Sequence, residues 1–272
     1  MKIFFCPDTP AFAMALCCLL FSCKGIKQQE DQLYSRHLQR QVKLSIIHTP
    51  VSGDKSALQL IVFNDGQEFE RLHIKDIVDS LYKKKSLAPV VIVGVHAGDR
   101  LTEYGVAGET GRADHYDSFF NNELYPFVKK KAGVRKFSAV TVAGFGAGGI
   151  SALDIAWNHA DKIGKAGVFS GAFCTTPTAG QDSTAGLMYQ KLKSSRKRPP
   201  TKFWLYAGMN GNAGTSNDNA TNITACTAAL AQLLDSKKFT ADGDIVFVKG
   251  QTNSADAWRA VLPDFLIWAA GQ

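Results

Sequence analysis

The sequence predicts an α/β protein, a doubly wound and mostly parallel sheet with helices on both faces. Three observations point there. Runs of β-branched and apolar residues recur, most plainly at residues 89–95 (PVVIVGV) and 139–143 (AVTVA), and such runs suit central parallel strands covered on both sides. Segments with helical periodicity separate them, so strand and helix alternate along the chain. With 272 residues, one domain with a single large core is expected rather than two.

In chain order, residues 42–48 alternate apolar and polar, as an edge or half-buried strand does. Residues 57–63 (ALQLIVF) form a buried strand that stops at the turn signal Asn64-Asp65-Gly66. Residues 74–84 have helical periodicity, and the strand at 89–95 follows. Residues 116–130 read as a helix with Phe119, Phe120, Leu124 and Phe127 facing inward and a kink at Pro126. After the strand at 139–143 come a helix over 150–159 and a short strand over 166–169. Residues 202–207 (KFWLYA) and 244–248 (DIVFV) make the last two strands, and 258–270 the closing helix. Residues 183–200 and 211–221 are expected to be long polar loops.

Residues 1–23 read as a targeting segment. Lys2 precedes an apolar run at 11–22 (AFAMALCCLLFS) that has signal-peptide length and is too short to span a bilayer. The run ends Leu20-Phe21-Ser22-Cys23, which resembles a bacterial lipobox; the expectation is cleavage before Cys23, acylation of its thiol and a lipid anchor at the cell envelope. Simple export with cleavage nearby is the alternative. Residues 24–40 read as a polar tether, leaving 41–272 as the folded domain.

The net charge of +7 comes mainly from three runs, at residues 83–85, 129–136 and 191–198. They are read as solvated helix ends and loops, with attraction to anionic glycan or lipid as the sharper reading. No aromatic residues interleave them in a stacking pattern, so nucleic acid is not an expected partner. Four of the six cysteines lie in the targeting segment, leaving Cys174 and Cys226, for which two separate buried thiols are expected and a single disulfide in an oxidising compartment is the alternative. No Cys/His spacing and no EF-hand spacing around Asp218, Asp242 or Asp244 suggests a metal, and no cofactor is expected.

The central motif is Gly144-Phe145-Gly146-Ala147-Gly148-Gly149, which follows a buried strand and opens a helix. That is the setting of the nucleophile elbow G-x-S-x-G, in which small flanking residues allow a tight strand-to-helix turn. The middle position here is Gly146, not Ser. A phosphate-cradling loop is the competing reading. It is disfavoured, because a dinucleotide fingerprint sits on the first βαβ unit with an acidic residue about 20 positions on.

Around the motif lie Asn64-Asp65-Gly66-Gln67, His96-Ala97-Gly98-Asp99-Arg100 with Glu103-Tyr104-Gly105, and Asn122-Glu123-Leu124-Tyr125-Pro126-Phe127. Further on come Ser151-Ala152-Leu153-Asp154-Ile155-Ala156-Trp157, Lys165-Ala166-Gly167-Val168-Phe169-Ser170-Gly171, and Trp258 with Leu262-Pro263-Asp264-Phe265-Leu266. Across about residues 42–270 this string resembles the esterase family of α/β hydrolases, the group of esterase D and the enterobactin esterases, and within it the secreted Bacteroidetes-type members. The resemblance implies the α/β-hydrolase fold. It puts the nucleophilic serine on Gly146, the acid on Gly211 and the histidine on Asn253. It puts oxyanion-hole amides near Asp65 and Gly66 and at Ala147. In place of an aromatic segment after Ser170 the chain has Cys174-Thr175-Thr176.

Residue order alone agrees. α/β-Hydrolases carry Ser, acid and His in that order, with the His beyond the last strand. This chain has no histidine after His159. The expectation is therefore a pseudoesterase that binds an acyl or carbohydrate ligand, or a protein partner, at the envelope. Two alternatives stand beside it. One is an active esterase using Ser151 or Ser170 with His96 or His115 as base, and the other is a non-enzymatic envelope assembly component. Asp99, Arg100 and Glu103 are read as a structural ion-pair group at the pocket rim, His115 and Asp117 as helix cap and surface, and Lys165 as a surface or pairing residue.

Overall fold

The computed structural model describes residues 25–51, 53–109, 111–171, 173, 186–208, 223–236 and 244–271. The targeting segment with Cys23, as well as Cys174, Gly211, Asp218 and Asp242, lies outside them.

Among the described residues eight strands form one sheet. β1 (Lys27–Ser35) and β2 (Arg40–His48) are an antiparallel pair, and β2 is antiparallel to β4 (Val90–Val95). β3 (Gln59–Asn64), β5 (Val140–Phe145), β6 (Lys165–Phe169), β7 (Lys202–Gly208) and β8 (Ile245–Gly250) complete a parallel block with β4. The order is β1-β2-β4-β3-β5-β6-β7-β8. The doubly wound sheet expected from the alternation of runs is therefore present.

Strand alternation sends side chains to two cores. Leu60, Val62, Val91, Val93 and Val142 pack under α3 (Ala113–Phe119), α4 (Tyr125–Ala132), α5 (Ala147–Asn158), α6 (Leu187–Ser194) and α7 (Ile223–Ser236). Ile61, Phe63, Ile92, Ala143 and Phe145 face α1 (Ile74–Lys83) and α8 (Ala255–Ala270) on the other side. A short α2 (Arg100–Glu103) follows β4. Lys165 donates to the carbonyls of Trp268 and Ala269 at 2.8 and 2.9 Å, so it caps the C-terminal end of α8, in keeping with a pairing role.

The helix expected over 116–130 is three pieces. A π turn over Phe120–Leu124 joins α3 to α4, with the Tyr125 N–H reaching the Phe120 carbonyl. Pro126 lacks an N–H and would crowd the carbonyl four residues back, so the wider turn forms just ahead of it. Glu123, on this turn, accepts from Ser35 Oγ at 2.5 Å and from the Arg36 N–H at 2.9 Å, which pins the β1–β2 hairpin to the helices.

Several expectations need correction. Residues 27–35 are not tether but the edge strand β1, in register with β2 from Lys27↔His48 to Ser35↔Arg40. Its side chains are mostly exposed, so backbone pairing rather than burial defines it. Residues 187–194, expected in a polar loop, form α6, because Met188 and Leu192 lie one turn apart and bury completely. Helix α7 was not anticipated. Cys226 is disulfide-bonded rather than a free thiol, its partner sulfur lying outside the described residues.

Candidate functional site

Between the last residue of β5 and the first of α5, Gly146 has φ 55° and ψ −122°. That conformation costs a residue with a side chain about 1–3 kcal/mol, and glycine nothing comparable. The turn is held tightly. The Gly146 N–H donates to the Phe169 carbonyl at 2.8 Å, and its own carbonyl accepts from the Gly149 and Ile150 amides at 3.0 and 3.2 Å. Among the described residues there is nevertheless room, because a Cβ at Gly146 would have only Arg100 Nη2 near it, at 3.8 Å. Two residues on, the situation reverses: a Cβ at Gly148 would collide with the Asp65 carboxylate. The sharp elbow read from the glycine pattern is thus present as geometry, with no hydroxyl on it.

Asp65 follows β3 in the left-handed region, at φ 67° and ψ 48°, which Asp tolerates better than most residues. Its buried carboxylate takes a two-pronged bond from Arg100, Nε at 2.7 Å and Nη2 at 2.9 Å, and a third from Gln67 at 2.9 Å. Burial pushes this carboxyl up from its ordinary value, and the Arg100 fork pulls back against that. Arg100 Nη2 also donates to the Phe145 carbonyl at 3.2 Å, so one guanidinium ties the β3 turn to the elbow. Arg100 does not pair with Glu103, as the expected rim group had it. Glu103 instead takes Arg40, at 2.6 and 2.7 Å, from the start of β2.

Of the expected pocket contributors, Asp65 offers its carboxylate rather than its amide. The Asp65 N–H donates to Tyr104 Oη at 3.0 Å. Tyr116 Oη donates to Asn64 Oδ1 at 2.8 Å, and Asn64 Nδ2 to the Gly148 carbonyl at 2.7 Å. Burial pushes both tyrosine hydroxyls well above their ordinary range, so they remain protonated. Gly66 packs flat on Gly94 of β4, and Ala147 opens α5 beside the elbow.

Asn253 lies between β8 and α8 and is engaged on both sides of its amide. Its Oδ1 accepts from the Gly208 N–H at 2.8 Å, and its Nδ2 donates to the Gly208 carbonyl at 2.8 Å. The side chain thus pairs with the end of β7 as another strand's peptide would. A neutral imidazole also has one donor and one acceptor, but its two ring nitrogens point apart, so a histidine cannot make this paired bond to one residue. Oδ1 also accepts from Ser170 Oγ at 2.6 Å, and Ser170 Oγ accepts from Trp258 Nε1 at 3.0 Å. Sequence reasoning placed Asn253 by resemblance but missed this clamp, whose partners lie 45 and 83 residues away in the chain. Gly211 lies outside the described residues.

The residues of the relocated-esterase reading are scattered. Ser151 is buried within α5. Ser170 gives its proton to an amide oxygen, which is no base. His115 Nδ1 meets the carbonyl of His37 at 3.0 Å. His96 Nε2 does meet a serine, Ser45 Oγ at 2.8 Å, and Ser45 Oγ donates to Glu30 Oε2 at 3.0 Å. With the serine proton directed to Glu30, His96 is the donor. Glu30 approaches the same ring nitrogen, at 3.9 Å, whereas a catalytic carboxylate holds the opposite one. Burial lowers the His96 pKa, which keeps this imidazole neutral. Asp117, expected at the surface, instead bonds His159 Nε2 at 2.9 Å and Asn158 Nδ2 at 3.1 Å.

Residues 35–269 match the protein-family model described as "Putative esterase". The enterobactin esterase of Shigella flexneri superposes with a TM-score of 0.70 at 23% identity, over 89% of this chain and 59% of that one. A ferulic acid esterase gives 0.70 at 15% identity, over 90% and 98% of the two chains. A siderophore hydrolase of Aspergillus nidulans gives 0.66 at 12%, over 88% and 93%. At such identities these likenesses speak for the fold alone, and this chain spans about three-fifths of the enterobactin esterases. No curated protein matches the sequence. A family match over most of the chain, on a sheet of the same architecture, identifies the protein as a member of the esterase family of α/β hydrolases.

Proposed function

We propose that this protein is a catalytically silent esterase, held at the cell envelope by a lipid on Cys23, that binds an acyl or carbohydrate ligand without cleaving it. The carrying observation is the elbow: Gly146 has the turn geometry and, among the described residues, the space for a nucleophile but no hydroxyl. The Asn253 clamp supports the same reading, since the side chain at the position implied for the base is committed to Gly208. Loss of a triad costs on the order of 10⁶ in turnover, leaving roughly 10³–10⁴ over water from binding and oxyanion contacts. The relatives' substrates, enterobactin and ferulic acid derivatives by their names, suggest that an acyl ester or its carboxylate is the ligand class. The apolar run at 11–22 followed by Cys23 supports export and anchoring, and a disulfide at Cys226 suits an oxidising compartment.

A fluorophosphonate probe tests the silence. No covalent labelling is expected, and robust labelling at one serine overturns the reading. A restored variant, Gly146→Ser with Gly211→Asp and Asn253→His, is expected to hydrolyse short nitrophenyl esters weakly but above the unmodified chain. Co-purification of a protein partner, with no thermal shift from any acyl or sugar compound, would point to an assembly component instead.

A further inference from the structure

We propose that the end of the sheet opposite the elbow is a docking surface for an anionic lipid bilayer. The elbow and the Asn253 clamp sit at the C-terminal ends of the parallel strands. At the N-terminal ends of β3 and β4 a cavity of about 270 Å³ opens, floored by Ile46, Leu58, Val91 and Val128, with His48 and Lys55 at its mouth. Lys131 borders it as well. A neighbouring hollow shares Lys55 and adds Arg135 and Lys136. All four of these cations are exposed. Among the described residues two carboxylates stand near them. Asp31 is already bonded to Lys131, and Asp54 is turned onto Ser56. The surface is therefore basic around an apolar hollow, which matches acidic headgroups over hydrocarbon.

A second observation fixes which way the chain enters. β1 begins at Lys27, directly opposite His48. Alternate β1 residues share a face, and Gln29 lines the cavity while Asp31 reaches Lys131, so Lys27 belongs to the same face. Cys23 is only four residues before Lys27. Four extended residues reach at most about 14 Å. That is under two Debye lengths at physiological salt, roughly 8 Å each. This step rests on the lipid-anchored reading above: a chain anchored at Cys23 holds this end of the sheet against the membrane and turns the elbow away from it. The charge argument stands without the anchor.

Hydrogen exchange on the full chain, reconstituted into neutral phosphatidylcholine vesicles or into vesicles with added phosphatidylglycerol, tests the proposal. Exchange at residues 53–58 and 133–138 is expected to slow at least about threefold on the anionic vesicles only, and to recover in high salt, while residues 97–104 near the elbow do not change. The variant Lys27→Gln, Lys55→Gln, Arg135→Gln, Lys136→Gln is expected to lose this protection, since each basic residue near an anionic surface contributes about fivefold. Neutralising Lys193, Arg196, Lys197 and Arg198 instead is expected to leave it intact. Protection that ignores lipid charge, or that appears equally at 97–104, overturns the surface. Intact mass of the same sample reads the Cys23 acyl group. An acylated chain without charge-dependent protection sinks the docking surface and keeps the anchor. An unacylated chain with charge-dependent protection does the reverse.

Discussion

Among the described residues a Cβ on Gly146 would have only Arg100 Nη2 within reach, at 3.8 Å, so Gly146→Ala meets no clash there and its cost comes from backbone conformation. Denaturant unfolding is expected to show a loss of about 1–3 kcal/mol. Gly146→Ser alone is expected to lose a similar amount and to gain no ester hydrolysis, because among the described residues no base stands beside the elbow to take its proton. Asn253→Ala removes both partners of the Gly208 peptide and is expected to cost about 1–3 kcal/mol, read as a lowered thermal midpoint. The glycine was legible in the sequence because the elbow is local: six consecutive residues announce the turn. The clamp was not, because its partners come from the ends of two other strands and only folding brings them together. For the same reason Arg40 with Glu103, 63 residues apart, could not be read, and Arg100 was assigned the wrong company.

At the level of elements, α3, α5 and α6 meet in a polar network. Lys191 on α6 bonds Asp154 Oδ1 at 2.5 Å and Asn158 Oδ1 at 3.2 Å on α5. Asn158 bridges on to Asp117 of α3 at 3.1 Å, and the Ala107 amide donates to Asp154 Oδ2 at 2.9 Å. Lys191→Ala leaves a buried carboxylate without its cation and is expected to cost about 3 kcal/mol; Asp154→Asn in the same chain is expected to recover part of it in a double-mutant cycle. The two acids respond to pH with opposite sign. Burial, its largest single influence, raises the Asp117 carboxyl, but His159 and Asn158 together outweigh it and hold it below the ordinary 3.8. Its contribution is complete above that value and is lost as pH falls through the lower folded one, so Asp117→Asn is expected to flatten the acid limb of the stability profile. Burial raises Asp154 despite Lys191, so its contribution is full below 3.8 and declines as pH rises through the higher folded value. Helix α6 escaped notice in the sequence because lysine, serine and arginine dominate its surroundings while two apolar side chains do the packing. β1 escaped for a related reason: KQQEDQLYS has the composition of a solvated segment, and only its backbone declares it a strand.

For the molecule as a whole, the doubly wound architecture was legible because buried parallel strands leave continuous apolar runs, and β3, β4, β5 and β7 each supplied one. The disulfide at Cys226 was legible only as the alternative to free thiols, since sequence says nothing of the distance between two cysteines. Reduction under native conditions is expected to lower stability by about 2–4 kcal/mol, measured as the shift in unfolding midpoint with and without reductant. An unchanged midpoint would show that the bond constrains nothing in the unfolded chain.

The two-way bond between Asn253 and Gly208 also bears on history. A lineage that regained histidine there would first surrender a fitted joint, and one that regained serine at the elbow would first accept a twisted backbone. On the silent reading neither step restores turnover alone, so each intermediate is weaker without being useful. On that reading, proposed above, the loss ran downhill, and the same physics makes the return path a valley that stepwise selection has no reason to enter.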